Sequence, residues 1–555
     1  MQQQDAPPQR SYRTAAALLL PLVALLLGLR GPHRAGAAQE EDEARAEFVT
    51  TELGDVTLAW RPIPAPIPKN QPFELDVRLS RGGEPLPGAR LLVRATMPGH
   101  GHGMLRAPKT EEVAPGRHRV RGMLFHMAGD WELELGVLVS GERRYERATF
   151  DVVPGRPLGA DPLPLIPGPL TEGETRRALE LSPLPPPPAD PTNRYFEDER
   201  AARFGKTLFF DRRLSASGEV SCATCHDPER GWTDGRAVSA GLAAVDRNAL
   251  PIAGAAHQRW FFWDGRADSL WAQSLIPIED PREQGFTRVE LVRLLAQAPE
   301  LKEAYEAIFG PLPAVADAER LPSRGRPHPR NASHPEHAAW MSMAAEDRTA
   351  VDRAFANAGK AIAAFVRTIG PGRAPFDVFV EGVREGDADK AAALDESARR
   401  GLSMFLGRGR CHLCHSGPLF SDGEFHDTGI PPGPQGRKDD SGRYAGLMTV
   451  LLDPFNGKGG HSDSTEAGAV KLDFLARSGH DWGEFRTPSL RNVARTAPYM
   501  HHGQLATLED VVRYYSTLEG ALEPDHEGES VLQPLDLTDQ EIADLVAFLE
   551  ALTGE

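Results

Sequence analysis

Every cysteine in this chain lies in one of two C-x-x-C-H pentapeptides, CATCH at residues 222–226 and CHLCH at residues 411–415. That pattern restricts the local backbone and the cofactor together. In a c-type haem attachment both thiols add to the vinyl groups, and the imidazole that follows reaches the iron as proximal ligand. Structural zinc takes four protein ligands from paired knuckles, whereas these two motifs stand in opposite halves of the chain. A thioredoxin-like thiol pair needs a βαβ context, which neither motif has. Two covalent haems are therefore expected, one on Cys222 and Cys225 with iron on His226, the other on Cys411 and Cys414 with iron on His415. His412, inside the second motif, is read as a surface imidazole.

A chain of 555 residues is too long for one compact core and suggests about three or four units. The first residues run from a basic stretch through AAALLLPLVALLLGL to AGA at 35–37, the order of a secretory signal peptide, so 1–37 is expected to be removed and the protein to be periplasmic. Loss of that segment takes four arginines and one aspartate from a chain whose formal charge is already −17. A nucleic-acid partner is thereby excluded, because phosphate binding needs concentrated positive surface. An acidic face suits a basic redox partner.

Three kinds of sequence follow one another. Between 45 and 155, period-2 alternation in FELDVRL (Phe73, Leu75, Val77 and Leu79 on one face) and in WELELGVLV predicts an antiparallel β-sandwich. Residues 156–193 are rich in proline, which removes backbone donors and favours extended chain, and predict a semi-rigid linker. From 194 onward, helical apolar spacing in VELVRLLAQAPELKEAYEAIFG, VDRAFANAGKAIAAFVRTI and TDQEIADLVAFLEALTG predicts two mainly α-helical, cytochrome c-like haem domains, 194–382 and 383–555. Thr538 and Glu541 stand in capping-box positions at the start of the last helix.

Three dispersed stretches, FGKTLFFDRRLSASGEVSCATCHDPERGWTDG, RNALPIAGAAHQRWFFWDGRADSLWAQSLIPIEDPREQG and FRTPSLRNVARTAPYMHHGQLATLEDVVRYY, resemble the bacterial di-haem cytochrome c peroxidase family, which includes the MauG proteins. The resemblance spans residues 194–555. It implies that the N-terminal haem reacts with peroxide while the C-terminal haem relays electrons or stores oxidising equivalents. Trp263 then matches the tryptophan between the haems, Gln273 and Glu283 the distal glutamine and acid-base glutamate, and Pro277 a residue shaping the distal pocket. Peroxide cleavage needs a group that takes a proton from one oxygen and returns it to the other, and a glutamate does both; Glu279 and Asp280 are read as solvated loop carboxylates. The family's calcium site matches Asn248 and the carbonyls of Thr496 and Pro498, hard oxygen donors suited to that ion.

The chain departs from many relatives at two places. Tyr515 occupies the position where a methionine often ligates the second iron, the MauG-like arrangement. Anionic oxygen stabilises ferric and higher states where methionine favours ferrous iron. Adjacent Tyr514 is the alternative ligand, and Met500 a weaker one. No histidine between His226 and Trp263 is placed to block the first iron, since His257 directly precedes the RWFFWDG segment; an open first site, ready for peroxide without reductive activation, is expected.

The sandwich resembles YtkA-like or FixH-like domains. It carries Met97, His100, His102 and Met104 in TMPGHGHGM, and His126 and Met127 further on, soft donors suited to copper or else a docking surface. The leading expectation is an exported peroxidase that reduces hydrogen peroxide with electrons from a small protein such as a c-type cytochrome or cupredoxin. The alternatives are a MauG-like oxidase of a protein or organic substrate, and a non-catalytic electron carrier or haem/copper sensor. Insertions at 324–343 and 453–468 suit access covers, partner contacts or variable loops equally.

Overall fold

The computed structural model describes residues 48–68, 71–97, 102–104, 108–126, 131–139, 145–152, 154, 170, 172–313, 320–433, 440–522 and 532–554. The expected signal segment and residues 156–169 of the expected linker lie outside them.

The first domain is the expected antiparallel sandwich. One sheet runs β1 (Val49–Leu53), β2 (Val56–Ile63), β3 (Pro72–Arg81), β8 (Arg117–Leu124) and β7 (Lys109–Ala114), with β4 (Glu84–Pro85) paired to the end of β3. The other runs β10 (Tyr145–Val152), β9 (Trp131–Leu138), β5 (Arg90–Met97) and β6 (His102–Gly103). Phe73, Leu75, Val77 and Leu79 of β3 turn inward as their alternation requires, meeting Trp131, Leu133, Leu135 and Val137 of β9 in one buried cluster. Phe125 stacks on Trp131 at 4.6 Å. Each such buried side chain contributes about 1.5–3 kcal/mol, against about 0–1 for an exposed ion pair, so the apolar faces hold the sheets together. Asp76, on the outer face of β3, is nonetheless buried, because Arg117 bonds both its oxygens at 2.9 Å and Arg61 approaches to 3.6 Å.

The haem-bearing part repeats one arrangement twice. In the first half, the helix Glu199–Phe210 crosses the helix Ala345–Val366 at Gly205, where a Cβ would come within 1.9 Å of the Ala361 carbonyl. In the second, the helix Glu396–Leu406 crosses the helix Asp539–Glu550 at Gly401, where a Cβ would lie 2.0 Å from the Asp544 carbonyl. Close crossing brings the chain after each first helix, with its C-x-x-C-H motif, over a helical core. The expected capping box at Thr538 and Glu541 is formed. The stretch expected as one helical run from Val289 divides at Pro299 into Arg288–Gln297 and Pro299–Phe309.

Two segments pack away from their expected places. Glu172–Glu180, within the expected linker, is a helix whose Ala178 and Leu179 join the core of the second half. Beyond it the chain is fastened to both halves, by Ser182 to Asp377 (2.7 Å), by the Pro185 carbonyl to His257 (2.8 Å) and by Asn193 to the Lys360 carbonyl (3.1 Å). The helix Pro375–Glu385 gives Phe376, Phe379 and Val380 to the second core, although the expected division at 382/383 runs through it.

Candidate active site

Each C-x-x-C-H motif forms a single tight turn. Cys222–Cys225 is a short helix with Ser221 at its N-cap, and the Ser221 amide donates to Thr224 Oγ1 at 3.0 Å. Cys411–Leu413 is a 3₁₀ turn entered through Arg410 in the left-handed region. In both, the histidine amide bonds back to the carbonyl of the first cysteine, at 3.0 Å for His226 and 2.9 Å for His415. His226 donates its Nδ1–H to the Trp232 carbonyl at 3.1 Å, and His415 donates its own to the Phe420 carbonyl at 2.9 Å. A hydrogen bond at Nδ1 fixes the tautomer that leaves Nε2 as the iron-binding nitrogen and raises its basicity. Trp232 and Phe420 both have positive φ, 63° and 52°, which turns their carbonyls back onto the imidazoles. All four thiols are unbridged, so the donor set fits two covalent haems with proximal His226 and His415. Sequence reasoning missed this pair of carbonyls; an aromatic residue six positions after the first proximal histidine and five after the second was the available signal.

His412 is a correction. It is half-buried, its Nδ1 lies 3.3 Å from the Phe405 carbonyl, and burial, reinforced by Arg177, lowers its pKa to about 4. The helix Glu172–Glu180 brings Arg177 there.

The helix Leu270–Glu279 carries half-buried Gln273 and an internal proline, Pro277, which removes the amide that would otherwise bond the Gln273 carbonyl. Three carboxylates follow and the structure sorts them. Glu279 is not a solvated loop acid: Arg288 grips both its oxygens, at 2.9 and 2.7 Å. Asp280 pairs with Arg282 at 3.1 Å. Glu283 is half-buried, and among the described residues its carboxylate has no hydrogen-bond or ion-pair partner. Burial pushes its pKa up to about 7, with Arg266 and Arg282 pulling it down and Asp280 adding to the rise. Its charge also acts on Cys222 and Cys225, which places it beside the first attachment motif. His257 is engaged elsewhere, Nε2 2.8 Å from the Pro185 carbonyl and Nδ1 3.3 Å from that of Gly254.

Trp263 lies at the seam of the two halves. Its indole N–H donates to the Asn248 carbonyl (2.9 Å), its own carbonyl accepts the Arg486 amide (2.7 Å), and His501 meets its ring edge-on at 6.3 Å. His501 in turn stacks on Phe485 at 3.8 Å. Asn248 crosses the same seam, its Nδ2 3.3 Å from the Pro498 carbonyl and 2.7 Å from that of Arg236. The amide thus serves as a donor between the halves. Calcium would require it to turn its oxygen toward the Pro498 carbonyl, with Thr496 contributing beside it.

At the second motif the two tyrosines of the helix Leu508–Thr517 separate. Tyr514 donates its hydroxyl to the Thr428 carbonyl at 2.7 Å. Tyr515 is half-buried beside the motif: desolvation, then the charges of Cys414, Tyr514 and Cys411, raises its pKa above the ordinary phenol range. Beside them Asp422 and His426 form a 2.7 Å pair that sequence reasoning did not single out.

In the sandwich, Met97 is a core side chain, 3% exposed, rather than a presented thioether. Met104 packs against the same core, and buried His126 meets Trp131 edge-on at 5.3 Å. The β5–β6 ladder pairs Met97 with His102, whose side chain, like His100 and Met127, lies outside the described residues.

A helical scaffold with two repeated haem-attachment turns, a half-buried carboxyl of raised proton affinity at the first and an aromatic seam between them defines a two-centre c-type haem oxidoreductase. The sequence profile of the di-haem cytochrome c peroxidase family matches residues 199–385, and that of YtkA-like domains residues 55–136. A cytochrome-c peroxidase of Denitromonas iodatirespirans is 34% identical over 381 residues, covering 67% of this chain and 86% of that relative. The methylamine utilization protein MauG of Methylorubrum extorquens is 33% identical over 374 residues, covering 67% and 82% respectively. The chain belongs to the di-haem cytochrome c peroxidase and MauG family, with an N-terminal YtkA-like domain, and is an oxidoreductase of that type.

Proposed function

We propose that this protein is a periplasmic peroxidase that reduces hydrogen peroxide to two waters, taking two electrons from a small donor protein and two protons from solvent. The observation that carries the reading is Glu283, a half-buried carboxyl with a proton affinity near neutrality beside the first haem-attachment motif. A haem bound through His226 supplies an iron that binds peroxide and the electrons that break its O–O bond. The protein's part is proton handling and orientation. Glu283, ionised, takes the proton from the peroxide oxygen nearer the iron and returns it to the departing oxygen, which leaves as water. Gln273, on the adjoining helix, orients the peroxide. Both nitrogens of His257 face carbonyl oxygens, so this histidine is engaged elsewhere and would not block a haem held on His226, which supports a site open to peroxide. Trp263, bonded to both halves, lies on the route for electrons between the two centres. His415 and Tyr515 hold the second iron, and Asn248, Thr496 and Pro498 frame the calcium position at the seam.

One observation favours a second reading, a MauG-like oxidase of a protein or organic substrate. Tyr515, rather than a methionine, faces the second motif, and an anionic oxygen ligand favours storage of oxidising equivalents over donation of electrons. Stopped-flow spectroscopy of the ferric holoprotein with stoichiometric peroxide, followed by turnover with a reduced c-type cytochrome, separates the readings. Rapid spectral change with cytochrome turnover supports the peroxidase; rapid change without turnover supports the oxidase; no change with peroxide sinks both.

A further inference from the structure

We infer that the insertion between Arg320 and His337 is a clamp on the loop that carries Glu283, with Glu336 as its anchor. The inference rests on the acid-base reading of Glu283.

Glu283 sits in the turn between the helices Leu270–Glu279 and Arg288–Gln297. One flank of that turn is tied to the chain before it, where the amides of Leu242 and Ala243 donate to the carbonyls of Glu283 (3.0 Å) and Arg282 (2.8 Å). The other flank is tied by the Ala216 amide, which donates to the Gln284 carbonyl at 2.8 Å, and by the insertion. Arg326 donates from Nη1 to the Glu279 carbonyl at 2.5 Å, before the turn, and Arg324 from Nη2 to the Gly285 carbonyl at 2.9 Å, after it. The Gly325 amide between them bonds Thr287 Oγ1 at 3.2 Å. The two arginines therefore bracket Glu283 in sequence and hold the backbone at both ends of its turn.

A single carboxylate holds both arginines. Glu336 accepts from Arg324 at Oε1 (3.0 Å), and from Arg326 (2.9 Å) and His328 (2.9 Å) at Oε2. His334 caps the helix Pro335–Ser342 by accepting the Glu336 amide at 3.2 Å, and its ring stacks on that of His328 at 3.8 Å, which fixes the carboxylate from two sides. His328, His334 and Glu336 stand close enough to suggest a divalent-metal site. Both carboxylate oxygens are already held by guanidinium groups, however, so the cluster acts as an anchor for cations belonging to the chain. Charge-assisted bonds of this kind strengthen one another in a shared network, and loss of the common anion takes the shared counter-charge from Arg326 and leaves Arg324 with the longer contact to Glu290, 3.5 Å. Displacement of a reacting group by about 1 Å is enough to cost on the order of 10²-fold in rate. Glu336 is thus a positioning residue that acts through Glu283.

The test uses haem-loaded full-length protein in four forms: wild type, Glu336→Gln, Glu283→Gln and the double variant. The readout is the second-order rate of the peroxide-induced spectral change, per loaded haem, across pH. Glu336→Gln is expected to retain both haems, to slow the reaction at least tenfold, and to move the half-point of its acid limb below 7 as water reaches the loosened loop. Arg266, Asp280 and Arg282, the charged groups facing Glu283, are unchanged in that variant. In the Glu283→Gln background the second substitution is expected to add nothing. A Glu336→Gln protein with lower stability but unaltered rate and pH profile overturns the clamp alone, as do additive effects in the double variant. An unaltered rate in Glu283→Gln overturns the acid-base reading itself. If Glu336→Gln does not accumulate with haem, Arg324→Gln, whose side chain is 43% exposed, is judged by the same rate and pH criteria.

Discussion

Replacement of Glu283 by glutamine separates what this residue does for chemistry from what it costs the fold. An ordinary glutamate titrates near 4.5, whereas burial lifts Glu283 to about 7. Because the folded-state value lies above the unfolded one, the folded protein binds the extra proton between those two pH values. Stability is full below 4.5 and falls as pH rises through 7. A difference of that size, at 1.36 kcal/mol per unit, amounts to a penalty on the order of 3 kcal/mol at pH 8. Glutamine cannot ionise, so Glu283→Gln should raise the denaturant midpoint at pH 8 and change it much less at pH 5. The same substitution removes the proton carrier, a contribution of typically 10²–10⁴-fold, or about 3–5 kcal/mol in barrier. Stopped-flow measurement with stoichiometric peroxide should therefore show a variant with normal haem content that is more stable yet far slower. The wild-type rate should fall below about pH 7 as Glu283 becomes protonated. Two results would refute the reasoning: a variant that reacts within a few-fold of wild type, or a wild-type rate that is flat across pH 5–8.

Two further outcomes follow from the same geometry. Tyr515→Phe should alter the ferric spectrum of the second haem, whereas Tyr514→Phe, which loses only the bond to the Thr428 carbonyl, should leave that spectrum in place; the reverse pattern assigns the ligand to Tyr514. In the sandwich, burial acts to raise the pKa of Asp76 but Arg117 holds it below the ordinary value, so its stabilisation is present above pH 3.8 and lost as pH falls through the folded-state value. Asp76→Asn leaves Arg117 and Arg61 without their anion and should destabilise the domain by about 3 kcal/mol at neutral pH, seen as faster hydrogen exchange in β3 and β8.

Much of this was legible because local chemistry dictates it. A C-x-x-C-H motif needs no tertiary context to be read, and neither does the period-2 alternation of β3. The helices around Ala358 and Leu545 are equally plain from their spacing. What escaped the sequence depends on contacts far apart in the chain. The helix Glu172–Glu180 lies in proline-rich surroundings, yet Ala178 and Leu179 find a core built from residues two hundred positions later. His412 looked solvent-facing until that helix brought Arg177 beside it. In IEDPRE, three acids within five residues are indistinguishable by type. Arg288 and Arg282 claim the first two, and only the fold shows that the third is half-buried with no hydrogen-bond or ion-pair partner among the described residues.

The repeated scaffold explains how two chemically similar haems can take different roles. Both halves use a close helix crossing at glycine, the same backbone bond from histidine to the first cysteine, and an aromatic carbonyl aimed at Nδ1. The proximal sides are thus nearly equivalent and do not set the centres apart. The difference lies in what the chain places opposite. At the first, a carboxyl poised near neutrality can exchange protons but offers no strong-field ligand. At the second, a half-buried phenol stands where ionisation is disfavoured unless a cation receives it, so its oxygen would become an anionic donor were iron bound there. On the proposed reading, coordination at the second iron would deprotonate Tyr515, and the same bond would lower the potential of the centre. On the same reading, peroxide chemistry would be confined to the half that has a proton carrier, and oxidising equivalents would be retained in the half that has an oxygen ligand.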